Sequence, residues 1–83
     1  MNRYDIPLPR IEGAQSEIVV TAWLKQPGDS VRVGDIVAEV STDKVNVEIA
    51  SPVTGVLEAI LAGEGATVVE GTPIARVVLP PGS

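Results

Sequence analysis

Few side chains in this chain are able to do chemistry, and two absences narrow the set at once. None of the 83 residues is histidine or cysteine. Without imidazole, Ser-His triads, the usual general bases and most zinc or copper sites drop out. Without thiols, disulfides, thiolate nucleophiles and Cys-type zinc sites drop out as well. What remains is Lys44, in the run Ser41-Thr42-Asp43-Lys44-Val45, with Asp43 and Val45 on either side, and a scatter of carboxylates. Glu39 and Glu48 fall on the outward register of adjoining strands and have the right type for acid–base work. No pocket-forming helix or ligand set shapes a site around them, so solvated strand charges are the better reading. Asp29, Asp35 and Glu64 sit at turns without the ligand density of a calcium loop. A single lysine at a turn is, taken alone, also a solvated charge.

The elements that position Lys44 read as strands. Ile18, Val20, Ala22 and Leu24 alternate with Val19, Thr21 and Trp23; Ile36, Ala38 and Val40 with Val37, Glu39 and Ser41; Val45, Val47 and Ile49 with Asn46, Glu48 and Ala50. This period of two, rich in β-branched residues, predicts strands at 3–8, 17–24, 30–33, 36–41, 45–50, 55–60, 67–69 and 74–79. Glycines at 28, 34, 65 and 71 punctuate them at turn spacing. Glu58 to Ala62 has the look of a helical turn, but its repeat partner, Thr21 to Lys25, argues for strand.

That repeat is the strongest long-range signal. At an offset of 37, Ala22, Leu24, Gly28, Val31, Gly34, Ala38 and Val40 return as Ala59, Leu61, Gly65, Val68, Gly71, Ala75 and Val77. Two copies are too few for a solenoid, which needs about three. The expectation is all-β: a flattened barrel-sandwich of two four-stranded antiparallel sheets related by a pseudo-two-fold axis. Asp43 and Lys44 have no counterpart, since the same shift carries them to Pro80 and Pro81. They occupy a tight connection between strands 36–41 and 45–50, at the far end from both termini. Asp suits such a turn because its carboxylate accepts bonds from nearby amides. Trp23, at a repeat position, is read as packing rather than partner-binding.

Composition bounds the rest. With 45% hydrophobic residues, no Phe and one each of Trp, Tyr and Met, the core must be built from Val, Ile, Leu and Ala. A chain this short forms one domain. Six basic against eleven acidic residues leave a net charge of −5, which disfavours nucleic acid and anionic membranes. The longest apolar run, Ala59 to Ala62, is far short of the ~20 residues of a membrane span. Arg3, Asp5 and two prolines stand where an apolar signal segment would run. The expected location is the cytoplasm, that of a prokaryote first, with an organellar matrix for a trimmed mature chain. Residues 1–79 are read as the domain and 80–83 as the start of a Pro-rich interdomain linker of a larger chain.

The run Val40-Ser41-Thr42-Asp43-Lys44-Val45-Asn46-Val47-Glu48-Ile49, continuing through Ala50-Ser51-Pro52-Val53-Thr54-Gly55-Val56-Leu57, together with Trp23-Leu24-Lys25-Gln26-Pro27-Gly28-Asp29, closely resembles the lipoyl domain of 2-oxo acid dehydrogenase acyltransferases. The resemblance covers residues 3 to 79, and Asp-Lys-Val at the tip is its specific part. It implies lipoic acid in amide linkage on Lys44, with Asp43 and Val45 flanking the lysine for recognition by a lipoyl-attaching enzyme. It implies a non-catalytic, monomeric carrier whose arm moves acyl groups and electrons between active sites. The implied partners are a thiamine diphosphate-dependent 2-oxo acid dehydrogenase, the acyltransferase catalytic core of the parent chain and a dihydrolipoyl dehydrogenase. The redox sulfurs then belong to the cofactor, which is consistent with a chain lacking thiols. The family's Gly-Glu-Ser-like loop corresponds to Ile11–Ile18, which keeps one Gly and is about a residue shorter, read as ordinary length variation.

A biotinyl carrier is the runner-up, but its modified lysine typically lies between methionines, where this tip has Asp43 and Val45. A glycine-cleavage carrier is longer and has helical additions. An unmodified barrel-sandwich adaptor, the reading from another class, needs no tip lysine. An independent enzyme is the weakest reading, for want of residues to do the chemistry.

Overall fold

Alternating Val and Ile residues pay for strand formation only if a second sheet covers their apolar face. In the computed structural model, which describes residues 2–11 and 17–81, eight strands do this. They are β1 (Arg3–Pro7), β2 (Ile18–Trp23), β3 (Ser30–Val31), β4 (Ile36–Ser41), β5 (Asn46–Ala50), β6 (Gly55–Ile60), β7 (Thr67–Val68) and β8 (Pro73–Val78). They form two four-stranded antiparallel sheets, ordered β1-β8-β6-β3 and β5-β4-β2-β7. The all-β, two-sheet expectation holds, and Glu58–Ile60 is strand.

The repeat appears in space as a pseudo-two-fold. A shift of 37 residues carries β2, β3 and β4 onto β6, β7 and β8, while β1 matches β5 at a shift of 43. Turn bonds repeat with the strands: the Asp29 amide donates to the Gln26 carbonyl at 2.9 Å and the Ala66 amide to that of Gly63 at 3.0 Å. Gly28 and Gly65, within these turns, have φ of 100° and 88°, a region costly for any residue with a Cβ. Each half lends a short strand to the other half's sheet, β3 pairing with β6 and β7 with β2.

Strict alternation fails at the bulges. Register shifts between Val20 and Ala22, and at the equivalent Leu57 and Ala59, reverse the phase of β2 and β6. Trp23 therefore turns inward, while Leu24, in phase with Ile18 by simple alternation, is half exposed. A shift between Ile36 and Ala38 likewise puts both Val37 and Ala38 in the core. β3 and β7 stop short of the expected 30–33 and 67–69. After β3 a turn follows at once, the Asp35 carboxylate accepting from the Arg32 amide at 2.9 Å. The core is Ile6, Leu8, Val20, Val31, Val37, Val40, Leu57, Ile74 and Val77 with their neighbours. Trp23 joins it, its Nε1 donating to the Ala62 carbonyl at 2.7 Å. Gly55 lies against β8 so closely that a Cβ there would strike the Val78 carbonyl.

Candidate functional site

The β4–β5 hairpin closes over Thr42, Asp43, Lys44 and Val45. The Thr42 amide donates to the Val45 carbonyl at 2.9 Å. The Thr42 hydroxyl accepts from the amides of both Lys44 and Val45, each at 3.1 Å. Threonine at the first position of a turn does this because its short side chain folds back over the next two peptides. The amide acceptor expected of Asp43 is thus supplied by Thr42. The signal for it, a hydroxyl residue opening a two-residue turn, stands in the sequence. Asp43, Lys44 and Val45 are all exposed, with 47% of Val45 accessible.

The tip lies at one pole of a body 40 × 19 × 18 Å in extent. β2 runs away from the tip, starting opposite Ser41. The turn after it delivers β3 to the start of β6, which is paired with Val78. Asn2 and Leu79 meet there, the Leu79 amide donating to the Asn2 carbonyl at 2.8 Å, in the place two-fold-related to the Thr42–Val45 bond. The two-fold therefore exchanges the lysine tip with the Asn2–Leu79 end.

An acid joined to protein through an amide needs a primary amine that a second enzyme can reach. The chain has two lysines. Lys25 is half-buried in the β2–β3 turn, whereas Lys44 is exposed on a turn held by four backbone and hydroxyl contacts. The residues present fit such a group at Lys44. Glu39 and Glu48 are directly opposed on β4 and β5, and Glu48 is one of the residues that line a cleft. Glu12–Ser16, the centre of the atypical loop, lie outside the described residues.

The biotin/lipoyl family model, described as "Biotin-requiring enzyme", matches residues 5–77. The chain is 30% identical to the lipoyl domain of the 2-oxoglutarate dehydrogenase complex from Azotobacter vinelandii, with a TM-score of 0.71, covering 89% of this chain and 94% of that one. The chain belongs to the lipoyl domains. Lipoyl domains of these complexes carry lipoic acid covalently on a lysine. Among curated relatives, this lipoyl domain is 45% identical over 73 residues to the dihydrolipoyllysine-residue succinyltransferase component of a 2-oxoglutarate dehydrogenase complex from Staphylococcus saprophyticus. It is 50% identical over 70 residues to the dihydrolipoyllysine-residue acetyltransferase component of a pyruvate dehydrogenase complex from Mycobacterium tuberculosis. These matches cover 88% and 84% of the lipoyl domain but 17% and 13% of the relatives' own lengths. The domain itself is a carrier, and the chemistry of lipoic acid resides in its dithiolane sulfurs.

Proposed function

We propose that Lys44 is the lipoyl attachment site and that the domain is the mobile carrier of a dihydrolipoyl acyltransferase chain. The observation that carries this is the placement of one exposed lysine on a hydrogen-bonded turn at the pole opposite the Asn2–Leu79 end. A lysine stem extended by the lipoyl chain spans ~15 Å from backbone to sulfur, taken over about twelve bonds. Such an arm reaches into a second protein while the sheets stay outside it. A thiamine diphosphate-dependent dehydrogenase reductively acylates the arm, the acyltransferase core passes the acyl group to coenzyme A, and a dihydrolipoyl dehydrogenase reoxidises the dithiol. A linker continuing beyond Leu79 raises the arm's effective concentration at each site. The bacterial relatives support a cytoplasmic setting. Asp43 and Val45, exposed beside Lys44, are in position for recognition by the attaching enzyme. The chain is expressed with lipoic acid and a lipoyl-attaching enzyme, then analysed by intact mass and peptide mapping. A lipoyl increment on Lys44, lost in Lys44→Ala, is expected. A biotinyl increment moves the domain to carboxylases, and an unmodified Lys44 beside a modified control domain overturns the reading.

A further inference from the structure

The two-fold-related faces of the molecule share a strand plan but differ in charge. On the outer face of the β1-β8-β6-β3 sheet, Arg76 pairs with Asp5 at 2.8 Å and Arg3 with Glu58 at 2.8 Å. The equivalents of Asp5 and Arg76 on the other sheet are Glu48 and Glu39, like charges directly opposed. Neither is in an ion pair among the described residues. Opposed like charges destabilise a sheet, so the hairpin that carries Lys44 holds a repulsion which its twin converts into an attraction.

The edge of that hairpin differs too. Among the described residues, β5 pairs with β4 alone. Because Thr42 and Val45 form a hydrogen-bonded pair, the alternation of an antiparallel ladder turns the backbone groups of Asn46 and Glu48 toward the open side. The counterpart edge, β1, is blunted by Pro7, where β5 has Ala50. Beside the β5 edge lies a cleft of about 220 Å³, whose lining includes Tyr4, Ile6, Pro7, Glu48, Ile49 and Pro52.

We infer that the lipoyl-attaching enzyme docks by laying an extended segment along the open edge of β5, with basic residues facing Glu48 and Glu39 and an intervening apolar residue in the cleft. This rests on Lys44 as the attachment site. Reach selects this partner over the dehydrogenase. Before modification the Lys44 amine stands only ~6 Å from its backbone, so the enzyme that acylates it must close on the hairpin. Glu48 lies ~13 Å along β5 from Lys44 at strand rise, within such a footprint. The completed arm adds the length of the lipoyl chain, so reach alone does not force an enzyme it visits that close. Strand addition supplies the main-chain bonds, and alternation separates charge from apolar contact.

The test follows steady-state lipoylation of the chain by the attaching enzyme. Glu39→Gln/Glu48→Gln is expected to raise KM about tenfold with kcat unchanged, and to remove most of the salt dependence of KM. Asn46→Pro, which deletes an outward amide and no ladder bond, raises KM likewise. Asp5→Asn, at the two-fold-related position, leaves it unchanged. On the unsubstituted chain, bound enzyme slows hydrogen exchange at the Asn46 and Glu48 amides. KM within twofold of wild type for both Gln and Pro variants, with those amides unprotected, overturns the docking mode while Lys44 is still modified. A wild-type chain unmodified at Lys44 overturns the attachment reading on which it rests.

Discussion

What the fold supplies at Lys44 is a hydrogen-bonded backbone beneath an exposed side chain. Thr42 contributes to that backbone, because its one hydroxyl accepts from two consecutive amides. Thr42→Ala is expected to cost about 1 kcal/mol by urea denaturation, to speed hydrogen exchange at the Lys44 and Val45 amides, and to slow lipoylation. Thr42→Ser restores all three. Unchanged exchange at both amides in Thr42→Ala would show that the turn stands without the hydroxyl. Trp23 plays the opposite part. Its indole is closed into the core by the bond to Ala62, leaving little surface for a partner.

At the scale of single elements, the β1–β8 and β4–β5 pairs are a built-in comparison. The hydrogen bond from Arg76, aided by its charge, holds the Asp5 carboxyl below its ordinary value of 3.8. A carboxyl whose folded pKa is depressed stabilises the fold above its unfolded pKa and loses that contribution as pH falls through the folded one. The same contact pushes Arg76 further up, so it stays charged throughout and adds no pH dependence. Asp5→Asn should therefore lower the melting temperature slightly at neutral pH, with the difference vanishing as pH drops below 3.8. Glu48→Gln should do the reverse at neutral pH, stabilising by roughly 0.5 kcal/mol as the repulsion with Glu39 is relieved. Thermal melts of the two variants across pH check both signs, and a shared sign at neutral pH would contradict the comparison.

Across the whole molecule, the exchange of β3 and β7 leaves neither half with a sheet of its own. Removing either half takes a strand from the other half's sheet, so the halves are expected to unfold together. Urea unfolding followed by Trp23 emission, which reports the junction near Ala62, should coincide with far-UV circular dichroism, which reports all eight strands. Separated midpoints would mean that the repeat units are independently stable. The same two-fold sets the lysine tip and the Asn2–Leu79 end at opposite poles, so a tether at that end leaves the tip unobstructed.

Much of this was legible in the residues themselves. Period-two alternation and β-branched content are local properties, and they locate all eight strands to within two residues at each end. The offset of 37 and its turn glycines disclosed the pseudo-two-fold, and the unmatched Asp43-Lys44 pair marked the tip. Tertiary structure alone decided what depends on partners distant in sequence. The bulges that turn Trp23 inward and Leu24 outward arise from pairing with β4, which alternation within β2 does not encode. Glu39 and Glu48 read as two solvated charges until register set them face to face, and Arg3 met Glu58 only because β6 and β1 flank the same strand. Side-chain type follows from the local sequence; which charge faces which follows from long-range register, and register is fixed only when both sheets close on their shared core.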